Sequence, residues 1–335
     1  MRFMTPQLEG IVKKVIEDIK RSSKSKGKTN HTLIVGDRGS GKTTALRLIY
    51  KEVKRTEDLN QKFNSVFLPF STNGQRIKLQ VDQFLSTLEM QSLAKRQILF
   101  LDDLHLVLDE SKDDAHFIRG LLQSSSNLSL IASSDLTFRN QMTHDKAFYG
   151  FFRVLELGFV SDFDEIVSEL REIAGKKEWM KLNEELAFAN PFWVLTITGG
   201  NLWLLSMLKM VVQSLSQESD FNSRTFIKTY FDITNPFFLF SFSTLPKLSR
   251  YFLEEASLLG EQFRSKDIDL NDSNTPQEAL KLLNKGYLEK DRKGVYRFRF
   301  SPLKAWIRYT KHMPLGLIVS EKKVAAYPQS TEILL

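Results

Sequence analysis

The chain has 335 residues, which suggests about two domains at ~150 residues each and leaves room for a substantial core. Its 42% hydrophobic and 26% charged residues exclude a wholly disordered chain. There is no cysteine, which rules out disulfides, iron–sulfur clusters and Cys-ligated zinc, and a net charge of +7 allows a polyanionic partner without requiring one.

Along the chain, Leu8, Ile11, Val12, Val15, Ile16 and Ile19 recur at helical spacing and predict a helix over 5–20. The basic run Lys20 to Lys28 reads as a solvated connection. Strands are expected at 32–35, 65–70, 97–101, 128–132 and 153–157, and helices at 43–54, 81–95, 115–124 and 164–174. This alternation predicts an α/β domain with a parallel sheet covered on both faces, over residues 1–177. Residues 178–243 read as helical, punctuated by Gly199-Gly200-Asn201. Residues 244–313 then supply a helix, a second helix at 275–284 and a hairpin turning at Asp291 to Gly294, the ingredients of a winged helix. Residues 314–335 read as a tail. No apolar run reaches the ~18 residues of a membrane span, and the residues from Met1 to Glu9 lack a signal peptide's apolar segment, so a cytoplasmic location is expected.

Gly36-Asp37-Arg38-Gly39-Ser40-Gly41-Lys42-Thr43 matches Gly-x-x-x-x-Gly-Lys-Thr, follows an apolar strand and opens a helix, with Thr44 next in line. Glycines let successive backbone N–H groups curl around phosphates, and the helix adds its positive end. Lys42 is expected to reach the β- and γ-phosphates and Thr43 to place its hydroxyl on Mg²⁺. Four apolar residues lead into Asp102 and Asp103 about sixty residues later. Asp102 is expected to hold Mg²⁺ through water, and Asp103 to orient or deprotonate the attacking water. Ser133 and Ser134 end a further strand, where either senses the γ-phosphate or caps the strand. Lys42, Asp102, Asp103, Ser133 and Ser134 form the candidate catalytic set. His105 faces the phosphate or caps a helix. The histidines show no metal-ligand spacing, and no nucleophilic triad stands out.

The motifs Gly36–Thr43, Leu101-Asp-Asp-Leu-His105, Phe148 to Leu157 and Thr198-Gly-Gly-Asn201 occur in that order, followed by the winged-helix elements. Over roughly residues 5 to 312 this resembles the AAA+/STAND P-loop ATPases of the prokaryotic origin-recognition-like and archaeal-ATPase type. The resemblance implies an ASCE-type P-loop domain, a helical lid over 178–243, a winged helix, ATP with Mg²⁺ as ligands, and nucleotide between the first domain and the lid. Two departures imply slow turnover. Gly150-Phe151-Phe152 stands where ring-forming members carry an arginine, leaving Arg153 on the strand; Arg139 is a substitute candidate, with a surface role its expected one. Leu202 and Trp203 stand where a lid arginine is frequent, and Trp203 is expected to pack in the lid.

Residues 247 to 311 hold fourteen basic and nine acidic side chains. Lys281, Lys285, Lys290, Arg292, Lys293, Arg297 and Arg299 are candidate DNA contacts, better suited to phosphate than to base reading. Phe237, Phe238, Phe240 and Phe242 are expected to build a core. The leading expectation is a nucleotide-dependent switch controlling double-stranded DNA binding or assembly, with slow Mg²⁺-dependent ATP hydrolysis. The alternatives are a STAND-type signalling or defence scaffold whose winged helix binds only protein, and a transposition- or replication-type ATPase that polymerises on DNA.

Overall fold

The computed structural model describes residues 5–24, 30–68, 95–106, 112–125, 127–135, 148, 150–160, 163–175, 179–180, 192–217, 222–268, 270 and 275–312. The chain divides into two compact units, residues 1–158 and 159–335.

In the first unit, helix α1 (Pro6–Lys24) opens with a proline at its first position, and the Thr5 hydroxyl accepts from the Leu8 amide at 3.2 Å. Next come β1 (His31–Gly36), α2 (Lys42–Arg55), α3 (Glu57–Lys62), β2 (Phe63–Leu68), β3 (Arg96–Leu101), α4 (Lys112–Ser124), β4 (Leu128–Ser134) and β5 (Phe152–Leu157). The five strands pair in parallel in the order β2-β3-β4-β1-β5. All five expected strands are present. β2 is described over Phe63–Leu68, starting two residues earlier than expected, and the expected positions 69 and 70 lie outside the described residues. Most of the helix expected over 81–95 lies outside the described residues.

Both faces of the sheet are covered, as parallel strands require. Leu33 and Val35 of β1 face one way, with Leu99, Leu101, Leu130 and Ala132, toward Ile118 and Leu122 of α4. Ile34 faces the other way, with Phe100, Ile131 and Leu155, toward α1 and the Leu46, Ile49 and Val53 stripe of α2. Each such buried aliphatic side chain is worth about 1.5–3 kcal/mol. The place of β1 between β4 and β5 puts the loop after Gly36 beside the ends of both.

The second unit starts with α5 (Phe163–Ala174), α6 (Phe192–Thr198), α7 (Leu202–Leu215) and α8 (Ser223–Ser243). Helix α5 falls in this compact unit, where Lys209 of α7 pairs with Glu169 of α5. The Thr198-Gly-Gly-Asn201 motif is the corner between α6 and α7. Gly199 and Gly200 take φ of +55° and +70°, and the Asn201 side chain accepts from Trp203 N and Leu204 N at 3.0 and 3.1 Å. A Cβ on Gly200 would lie 2.4 Å from the Val160 carbonyl oxygen. Left-handed strain and this backbone clash together predict that Gly200→Ala lowers unfolding free energy by ~2–5 kcal/mol. Gly10→Ala, with nothing within 4 Å of the new Cβ, is expected to stabilise by ~0.5–1 kcal/mol; urea unfolding of both variants checks the contrast.

Trp203 stacks on Phe237 with ring centroids 5.0 Å apart, so it packs within the unit as expected. Phe238 and Phe242 pack on Trp306, whereas Phe240 is 64% exposed. The phenylalanine cluster is therefore only partly a core.

Helix α9 (Lys247–Leu258), α10 (Thr275–Asn284), the antiparallel pair β6 (Leu288–Lys290) and β7 (Tyr296–Phe298), and α11 (Ser301–Ile307) complete the unit, with a π-helical turn at Arg308–His312. The Asp291 carboxylate accepts from Lys293 N and Val295 N, both at 2.9 Å, and Gly294 takes φ +80°, closing the expected turn. Tyr296 and Phe298 are buried and Arg297 is exposed, the expected sidedness. Phe263 adds an antiparallel bridge to Tyr296.

Lys304 of α11 is buried, donating to Gly260 O at 2.7 Å and Glu261 Oε1 at 3.2 Å. Burial lowers its pKa to about 8 despite Glu261. The unfolded chain, with the ordinary lysine value, then holds more protons than the folded one between pH ~8 and ~10.5. Stability contributed through Lys304 rises with pH across that window, and below it the buried charge carries its full cost. Urea unfolding of wild type against Lys304→Met across pH 7 to 10.5 is expected to show wild type gaining on the variant as pH rises.

Candidate functional site

The carboxyl rim of the sheet gathers the sequence motifs. Register places Gly36 opposite Leu157, Val35 opposite Ser134 and Leu101 opposite Ala132, so the glycine loop, Asp102–Asp103 and Ser133–Ser134 leave their strands at one edge. Ligands of open α/β sheets bind at this edge.

The loop is shaped by its glycines. Gly39 and Gly41 take φ of +81° and +101°, and a Cβ on Gly36 would meet Leu157 O at 2.5 Å and Ser40 Oγ at 2.6 Å. Gly41 begins α2 without a side-chain cap, and the first turn of α2 carries no acidic residue. The positive end of that helix is left to an anion. Lys42 is buried, and its Nζ donates to Gly36 O at 2.8 Å and Asp37 O at 2.9 Å across the loop. Burial lowers its pKa, opposed by Asp103, Asp135, Asp37 and Asp102 in that order. Thr43 and Thr44 are half-buried in the first turn, and Arg38 is exposed with its charge near Asp103.

Asp102 is buried, and its Oδ1 accepts from Ser133 Oγ. Asp103 takes φ +53°, the one positive value outside glycine among the described residues, and its amide donates to Ser133 Oγ at 2.8 Å. Burial raises the Asp103 pKa and Asp102 adds to the rise, while His105 and Lys42 oppose it. His105 Nδ1 accepts from the Asp135 amide at 3.4 Å, and its Nε2 lies 3.8 Å from the Asp135 carboxylate. Asp135 is a charged member of this rim that sequence reasoning missed; its signal was its place directly after the hydroxyl-bearing strand. Ser134 is fully buried with no partner for its hydroxyl.

Among the described residues no group of three or more His, Asp or Glu could hold a metal by itself. Asp102 with the Thr43 hydroxyl nevertheless suits Mg²⁺, which takes one or two carboxylates and fills its remaining positions with phosphate oxygens and water. Arg153 pairs with Asp18 of α1, at the start of β5 and so away from the carboxyl rim. Arg139 lies outside the described residues.

In the second unit the candidate DNA contacts differ in their surroundings. Lys281 bonds Glu278 at 3.1 Å, Arg297 forks onto Glu289 at 2.9 and 2.7 Å, and Lys290 lies 5.0 Å from the Tyr296 ring centroid. Lys285, Arg292, Lys293 and Arg299 are exposed at the end of α10, at the hairpin turn and after β7.

Residues 32–131 match the family model described as the ATPase family associated with various cellular activities (AAA). The first unit has the AAA+ P-loop fold. The structure is similar to the Aeropyrum pernix ORC1 protein solved in complex with DNA, at TM-score 0.50 and 12% identity over 92% of this chain and 93% of that one. It is also similar to Cdc6p from Pyrobaculum aerophilum (TM-score 0.46, 14% identity, 91% and 94% covered) and to the Thermotoga maritima RuvB Holliday junction branch migration motor (TM-score 0.42, 15% identity, 91% and 95% covered). No curated protein matches the chain. No helix among the described residues is long and apolar enough to cross a membrane.

Proposed function

We propose that this protein is an AAA+/STAND-like switch: it binds ATP with Mg²⁺, hydrolyses it slowly, and uses the nucleotide state to control DNA binding or assembly. The observation that carries the reading is Lys42 held inside the glycine loop of β1, with Asp102 and Asp103 at the same sheet edge. Lys42 and the opening amides of α2 would hold the phosphates. Thr43 and Asp102 would hold Mg²⁺, which when bound neutralises charge developing on the phosphates. Asp103 would orient the attacking water and accept its proton. The pairing of Arg153 with Asp18 supports slow turnover, because an arginine that stabilises transferring phosphate is worth ~10³–10⁵ in rate.

For the second unit we propose a helical lid followed by a winged helix, with residues 314–335 as a tail. Helices α9 and α10, the Phe263 bridge and the β6–β7 hairpin support that reading. The exposed Lys285, Arg292 and Lys293 are the better candidates for DNA phosphate, since Lys281, Lys290 and Arg297 are engaged within the unit. The ORC1 protein's complex with DNA favours DNA over a protein-only scaffold. A ligand shifts a switch only through differential contacts with its two states, so DNA affinity should differ between ATP and ADP. Titration of labelled duplex with ATP, ADP or no nucleotide, at two salt concentrations, tests this. A nucleotide-dependent affinity that weakens with salt is expected. Absence of DNA binding in all three states would favour the protein scaffold, and ATP-dependent filaments the polymerising ATPase.

A further inference from the structure

We infer that Ser133 is a positioning residue that sets the two acids following β3, and does not itself touch the triphosphate. This rests on the nucleotide-site reading above and deepens it. A hydroxyl has one hydrogen and two lone pairs. The hydrogen of Ser133 goes to Asp102 Oδ1, and a lone pair receives the Asp103 amide at 2.8 Å. No donor is left for a phosphate oxygen. The pairing of β3 with β4 ends at Leu101 opposite Ala132, where the backbone of Asp102 and Asp103 leaves that ladder. Ser133, one residue further along β4, continues the link with its side chain. It ties down the carboxylate proposed to hold Mg²⁺, and it satisfies the amide of a residue in the left-handed region that non-glycine residues seldom take. Ser134, buried beside it with an unpartnered hydroxyl, keeps the free donor that a phosphate contact requires.

The test compares wild type, Ser133→Ala and Ser133→Thr by binding of fluorescent ADP and a fluorescent non-hydrolysable ATP analogue, and by steady-state and single-turnover ATP cleavage. In Ser133→Ala both nucleotides should bind as in wild type and KM should be unchanged, while kcat falls ~10–100-fold, the usual loss when a group orienting a metal ligand is removed. Ser133→Thr, which keeps the hydroxyl, should recover most of the rate. Weaker binding of the ATP analogue with ADP unaffected would overturn the inference, because Ser133 would then be a phosphate contact; so would wild-type turnover in Ser133→Ala. If Ser133→Ala does not fold, Ser133→Cys, a weaker donor, must show the same loss of kcat at unchanged affinity, and any other pattern rejects the role. Wild-type protein that binds nucleotide while these variants behave otherwise rejects only the Ser133 assignment, whereas wild-type protein that binds none rejects the nucleotide site and the assignment together.

Discussion

Calorimetric titration of Lys42→Ala with ATP or ADP in the presence of magnesium is expected to return affinities ~10²–10⁴-fold weaker than wild type. The ammonium sits inside the curl of the loop, 2.8 and 2.9 Å from two of its carbonyls. It is therefore within reach of any phosphate cradled there. Two charge-assisted hydrogen bonds of about 1.5–3 kcal/mol each account for the range. The surroundings deepen the loss. Asp103, Asp135, Asp37 and Asp102 all act on Lys42, so its removal would leave several carboxylates facing a polyanion. Lys42→Arg is not a rescue, because a planar guanidinium cannot replace a compact point charge in so narrow a loop. Burial disfavours the ammonium in the free protein, so the ligand-free melting temperature should move little in either variant. Wild-type affinity in Lys42→Ala would sink the phosphate-loop reading.

Local chemistry made much of this legible. The glycine loop, the apolar run into Asp102 and the Asp291–Gly294 turn are each written in consecutive residues, and each forms where expected. The turn even fixes a pairing: its length sets Glu289 opposite Arg297, and an exposed ion pair results from that register. What was not legible depends on register between distant strands. Ser133 and Ser134 looked equivalent along the chain. Only the parallel pairing of β3 with β4 directs one hydroxyl to Asp102 and leaves the other alone. The link between His105 and Asp135 likewise joins two strand ends thirty residues apart. Helix α5 directly follows the sheet in sequence, and its Lys209–Glu169 pair with α7 was invisible there because the partners lie far apart along the chain. Arg297 and Lys290 counted as free charge in the sequence because a partner across a hairpin does not alter composition.

Asp103→Asn is expected to keep ATP binding and lose ~10²–10⁴-fold in turnover, the usual contribution of a positioned general base. The substitution preserves shape and removes only the charge and the ability to take a proton. Burial and the neighbouring Asp102 raise the Asp103 pKa while His105 and Lys42 restrain it. A carboxylate in that setting is a stronger base than an exposed one. Protonation disables it, so wild-type turnover should fall on the acid side, with the midpoint above the ordinary aspartate range. The matching variant is Asp103→Glu. If short reach limits the rate, the added methylene brings the carboxylate closer to the attacking water and turnover rises. If turnover stays at the wild-type level while ATP still binds, reach is not limiting and the slow step lies outside Asp103, a result in keeping with Arg153 being committed to Asp18.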